Sequence, residues 1–397
     1  MASPVDTSVK FYREDFPGAP VLNGVAGSLI GLLEACLCTG FGLRSATSLV
    51  VAGGVATLTL GSDAKNGNLL NSVILVEGVT GALTALNGEQ RVTFASSAEL
   101  KFATAAADGT ATGSITVKTA PAGWEKKFSG TNKAVFKSLA VEANTSYLWV
   151  NDTGTVNANV RAYESMTDVN TGTGAAPTAA ESASGGFWVK SSGANANANR
   201  WDLFADTRAF YFCPTPNSGN NPAHIGQPCY FFGDLIAYKN ADAFAVGIFA
   251  SATAPSNAAN YGSVFHGQQG SSMSRVLRSY AAVGSATPVF PAPLCGNSNS
   301  YSGADVLLGV FPAPTDGGLR MSGIQVMERS LSGTNAVLRG AMPGIYHVPQ
   351  SGLSEYFQRG DITVSGGANM VAVYAGGNNQ DTTGGGRGFF DVTGPWR

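Results

Sequence analysis

The chain has 397 residues, 24 Lys and Arg against 26 Asp and Glu, and a net charge of −2 at pH 7. Charged residues make up 13% of it, about half the ~25% usual in soluble proteins, and no cationic run occurs, which excludes nucleic-acid binding through phosphates. Hydrophobic residues at 44% exclude a disordered chain, which lacks core-forming residues.

The first unit, residues 1–48, opens on an aromatic arm, Lys10-Phe-Tyr-Arg-Glu-Asp-Phe-Pro-Gly-Ala-Pro. Pro17 and Pro20 predict an extended path from Phe16 to Val21. A helix is predicted from Ala26 to Leu37, with Asn23 as N-cap and Gly40 just past its end. Val25, Leu29, Ile30, Leu32, Leu33 and Leu37 form an apolar stripe at helical spacing, while Gly24, Ala26, Gly27, Gly31 and Ala35 keep the rest of the helix thin. A thin apolar helix behind an aromatic arm needs a partner surface, either its own downstream domain or a neighbouring subunit. Phe11, Tyr12, Phe16, Leu29, Leu32 and Leu33 are the candidate docking residues. The apolar run Ser28–Cys38 is broken by Glu34 and is shorter than the ~20 residues a membrane span needs, so no membrane insertion is expected. The N-terminus carries no basic region followed by an apolar one, so synthesis and first folding in a cytoplasm are expected.

The second unit, residues 49–119, reads as a small β-sandwich or barrel. Leu49-Val-Val, a turn at Ala52-Gly-Gly and Val55–Leu60 form a strand–turn–strand. Val73-Ile-Leu-Val is a further strand, and Asn87-Gly88 is a tight-turn signal ahead of Arg91-Val-Thr-Phe, Leu100-Lys-Phe-Ala and Gly113–Lys118.

The third unit, residues 120–397, is predicted to be a large all-β sandwich-like domain with long loops. Its strands include Ser146–Val150, Asn159–Tyr163, Gly186–Val189, Arg208–Phe212, Ala243–Phe249, Val306–Phe311 and Met370–Tyr374. Its long polar loops include 170–185 and 191–199. The fold class is thus mainly β, with a short N-terminal helical module. Phe210-Tyr-Phe and Tyr230-Phe-Phe bracket a loop that also carries Cys213 and Cys229. These two cysteines are near enough in sequence to meet, and reduced, buried thiols are expected of a cytosolic product.

No sequence pattern carries catalytic chemistry, so no enzyme is expected. His224, His266 and His347 are far apart and in no zinc frame, and neither a metal nor another cofactor is expected. Gly384-Gly-Gly-Arg-Gly precedes no phosphate-binding helix and reads as a flexible loop. Asp202 and Asp206 flank a strand-like Leu203-Phe204-Ala205 beside Trp201. A glycosidase can use such a carboxylate pair, but the segment also reads as a turn between strands.

Several blocks resemble virion structural proteins of tailed bacteriophages: Lys10-Phe-Tyr with Phe16-Pro-Gly-Ala-Pro, Ala26-Gly-Ser-Leu-Ile with Leu33-Glu-Ala-Cys-Leu, Asp108–Lys118 with Pro121-Ala-Gly-Trp-Glu-Lys, Arg161–Val169, and Phe389–Trp396. The resemblance runs over most of the chain and brings no catalytic residues. It implies a tail, baseplate or fibre-associated component of the virion, assembled in the bacterial cytoplasm, whose partners are other virion proteins and a host-surface glycan or protein. A capsid decoration protein is the alternative within that class, and a carbohydrate-binding or carbohydrate-active adhesin the alternative outside it. Low charge with abundant Ala, Thr and Gly suits contact between identical neighbours, and analogy with loop-rich attachment proteins favours a trimer.

Overall fold

A computed structural model describes residues 3–254, 263–265, 273–293, 308–329, 336–375 and 386–397. The architecture is mainly β, as composition and strand spacing predict. Among the described residues it comprises three antiparallel sheets and a two-stranded ribbon.

The eight-stranded sheet takes its central strand from Phe41–Ala52, flanked by Thr116–Thr119 on one side and Val55–Leu60 on the other. Gly53 and Gly54 turn that hairpin with φ of 58° and 78°, values a two-residue hairpin loop requires and a side chain resists. The strand begins at Phe41, so a boundary at residue 48 falls inside it. Asn87 does not head a two-residue turn. Its Nδ2 donates to the Val79 carbonyl at 2.8 Å and its Oδ1 accepts from the Val79 N–H at 2.9 Å, so the amide closes the 3₁₀ segment Gly81–Leu86 against the strand Val73–Glu77.

The large unit is a sandwich of the other two sheets. Five strands between Trp124 and Val189 form one layer. The other, with thirteen strands, runs from an edge at Lys10–Arg13 to an opposite edge at Ile362–Ser365. Indole rings from the smaller layer pack on the aromatic runs of the larger. Trp188 meets Phe210, Phe212 and Tyr230 at centroid distances of 5.7 to 6.0 Å, and Trp124 meets Phe210 and Phe232. Phe210-Tyr-Phe and Tyr230-Phe-Phe are neighbouring antiparallel strands, Phe210 opposite Phe232 and Phe212 opposite Tyr230. They form the centre of the core.

Other sequence expectations are corrected. Residues 308–311 form no named strand, Val310 making one isolated bridge to Ser351, and Val306 and Leu307 lie outside the described residues. Of Gly384-Gly-Gly-Arg-Gly, read as a flexible loop, the last three residues belong to the strand Gly386–Asp391, and Gly384 and Gly385 lie outside the described residues. There Arg387 is buried, with Nε donating to the Phe357 carbonyl at 2.7 Å. The chain from Phe16 to Pro20 turns rather than running extended, with Phe16 N–H donating to the Arg13 carbonyl and Ala19 N–H to that of Phe16.

Candidate functional site

All six candidate docking residues are buried within the chain itself. Phe11, Tyr12 and Phe16 and Leu29, Leu32 and Leu33 are between 0% and 3% exposed and belong to the one large core cluster that also holds Trp188, Phe204 and Phe390. The partner surface is therefore the chain's own β structure, and the expectation that these residues meet another subunit is withdrawn. The arm strand Lys10–Arg13 pairs with Arg200–Ala205, Phe11 opposite Phe204. Tyr12 reaches across to the eight-stranded sheet, its hydroxyl donating at 2.9 Å to the carbonyl of Ala120, just past the strand Thr116–Thr119.

The helix Ser28–Glu34 continues as a π-helical turn, Ala35–Thr39. It ends at Gly40, where φ is 72° and an added Cβ would lie 2.4 Å from the Thr119 carbonyl oxygen. Asn23 is not its N-cap. Asp152, more than a hundred residues downstream, takes that place, with Oδ2 accepting the N–H groups of Leu29 at 2.8 Å and Ile30 at 3.3 Å. Sequence proximity pointed to Asn23, and no local signal marks Asp152.

The carboxylates that suggested glycosidase chemistry have structural occupations. Asp202 is fully buried, with Oδ2 accepting from Arg359 Nε at 2.6 Å and Gln227 Nε2 at 2.5 Å. Arg359 also grips Glu14 of the arm, joining three distant segments. Asp206 accepts the N–H groups of Arg208 and Ala209 at 2.7 Å each and pairs with Arg397 at 3.4 Å. Trp201 is buried, its indole N–H donating to the Pro20 carbonyl. It offers no exposed face for sugar stacking, and both carboxylates are buried.

His347 is buried in the strand Ala336–His347, His224 is half-buried beside Asn217, and His266 lies outside the described residues. Among the described residues no group of three or more His, Cys, Asp or Glu side chains is gathered as a metal site. No described helix is long and apolar enough to cross a membrane. Cys213 and Cys229 are free, buried thiols in contact with each other, adjoining the Phe212–Tyr230 pair.

The surface feature that sequence reasoning missed is the segment Leu139–Thr145, between the strands Lys133–Ser138 and Tyr147–Asn151. Leu139 is 62% exposed and Val141 96%. Two cavities flank it. One, of about 280 Å³, is lined by Glu125, Lys137, Leu139 and Val141. The other, of about 380 Å³, is lined by Glu142, Arg208, Lys239 and Asp242. Asn144 borders both and is pinned by its N–H to Asp234 Oδ2 at 3.1 Å. Arg208 is neutralised by Asp234 at 2.8 Å and Asp242 by Arg339 at 3.0 Å. The segment is thus a tip that exposes Leu139 and Val141 beside the charged Glu142, between two notches in which Arg208 and Asp242 are paired. Comparison with protein-family models and with curated proteins finds no match for the chain.

Proposed function

We propose that this chain is a structural component of a bacteriophage tail or baseplate that mediates virion assembly and contributes to host attachment. The observation that carries the reading is the direction of its few charges. Arg339 and Arg359, with Asp242 and Asp202, pair in the interior. Meanwhile Leu43, Leu139, Val141, Val283 and Val364 stand more than 60% exposed. A lone exposed aliphatic side chain is ordinary. A chain this poor in charge that also turns charge inward has a surface suited to burial against other protein. The resemblance of the blocks from Lys10 to Trp396 to virion structural proteins supports the same reading, and names other virion proteins as the partners.

Identical neighbours are part of the proposal. A closed ring with heterologous contacts, a trimer by analogy, would bury at least about 800 Å² per subunit, the scale of a stable specific interface. The test is protein mass spectrometry of phage particles purified by density gradient. The chain should co-purify at a fixed copy number that is a multiple of its ring symmetry. Recovery only in the soluble fraction, or at variable trace amounts, would reject the reading.

A further inference from the structure

Two residues just beyond strand ends meet where no water reaches. Asp152 follows the strand Tyr147–Asn151, and Lys190 follows Gly186–Val189. Both strands flank Asn157–Tyr163 in the five-stranded layer. Lys190 Nζ lies 2.5 Å from Asp152 Oδ1, and both side chains are 0% exposed. Nζ also donates to the Val25 carbonyl at 2.7 Å. The backbone fixes both ends of the pair: Lys190 N–H donates to the Val156 carbonyl at 2.9 Å, and Asp152 N–H to that of Asn132 at 2.8 Å.

As ions these groups are poorly placed, because a buried ion pair rarely repays the desolvation of both charges. Burial is the larger influence on each, raising the Asp152 carboxyl and lowering the Lys190 ammonium, although each opposes the other's shift. The neutral pair is an amine against a carboxylic acid, the reactants of an amide.

We propose that Lys190 and Asp152 condense into a side-chain amide that cross-links the chain to itself. The Nζ lone pair attacks Cγ of the protonated carboxyl. Oδ2 takes up the developing negative charge between the N–H groups of Leu29 and Ile30, which already donate to it. Oδ1, which faces Nζ and carries the carboxyl proton because Oδ2 already accepts two N–H groups, collects a second proton from nitrogen and leaves as water. One C–N bond forms, one C–O bond breaks, and one water is released, with no oxidant, reductant or cofactor. Desolvation keeps the amine nucleophilic, and the fixed pairing supplies the proximity that an intermolecular condensation lacks. The remaining Nζ–H keeps its bond to the Val25 carbonyl. The product ties the ends of the two strands together covalently, replaces the charged pair with a neutral amide, and keeps its hydrogen bonds to the start of the helix Ser28–Glu34.

Intact-mass spectrometry of the folded full chain, followed by tryptic mapping, tests this. The expected mass is about 18 Da, one water, below that of the sequence. After cleavage behind Arg161, residues 138–161 and 162–200 should stay joined as one branched peptide, with trypsin unable to cut at the acylated Lys190. Lys190→Arg should restore the full mass and separate the peptides. Folded wild-type chain at full mass with separate peptides overturns the proposal. So does a water deficit without the branched peptide, which reports an imide elsewhere, such as at Asp108-Gly109.

Discussion

Arg359 and Glu14 stand 345 positions apart and meet in a two-pronged ion pair, with Nη1 donating to Oε1 at 3.0 Å and Nη2 to Oε2 at 2.5 Å. Asp202 completes the group through Arg359 Nε. The Arg359 side chain is 6% exposed, so removing it strands one fully buried carboxylate and one half-buried. Arg359→Met should therefore cost about 3–5 kcal/mol. The change would be read from the urea midpoint at neutral pH, and an unchanged midpoint would show that the arm is held by its aromatic contacts alone.

The same contact sets an acid sensitivity. Burial alone would raise the Glu14 carboxyl, but the Arg359 guanidinium outweighs it and holds the group below its ordinary value of 4.5. A carboxyl whose folded value is depressed contributes its full stabilisation above the unfolded value, and loses it as pH falls through the folded one. Glu14→Gln should be less stable than wild type at neutral pH, with the gap closing below about pH 4. Urea unfolding across that range checks it. A gap constant with pH would show that the carboxylate charge contributes nothing.

Deletion of residues 1–40 should abolish folding rather than release a soluble β protein. It removes an edge strand and the core side chains Phe11, Phe16, Leu29, Leu32 and Leu33. Even Leu33→Ala alone should cost about 2–5 kcal/mol. A truncated chain with a cooperative unfolding transition would contradict this.

Much of this fold was legible in the sequence, because much of it is local. Gly53-Gly54 between Leu49-Val-Val and Val55–Leu60, and the matched runs Phe210-Tyr-Phe and Tyr230-Phe-Phe, announce hairpin and core strands by pattern alone. What was hidden depends on contacts across the chain. The fully buried Asp152 serves a helix begun at Ser28, and Asp202 is silenced by an arginine at 359. An apolar helix reads the same whether its partner is its own sheet or another subunit. The arm and helix were therefore legible as partner-seeking, but the partner's identity was not.

Cys213 and Cys229 should resist alkylation in the native protein at about pH 8, because the reactive thiolate is suppressed. Burial pushes both thiols up. Cys38, half-buried, is pushed up to about 12, by burial first and by Glu34 next. Peptide mapping after alkylation, with and without urea, checks this. Rapid native labelling of Cys213 or Cys229 would show that the core between the aromatic strands opens readily.

Val141→Asp separates assembly from folding. At 96% exposure the change should alter stability by no more than about 0.5 kcal/mol. It should still reduce incorporation into particles, because it puts a charge where a neighbour is proposed to pack. Competition between variant and wild-type chains for entry into particles measures it, and equal incorporation would remove the Leu139–Thr145 tip from the proposed interface.

Electron cryo-microscopy of particles purified from infected cells tests the central claim most directly. The predicted result is density at the tail or baseplate that fits the thirteen-stranded and eight-stranded sheets, repeated about a symmetry axis, with neighbouring protein in contact with Leu139 and Val141. Particles whose density is fully accounted for by other chains, with this chain left in the lysate, would contradict it.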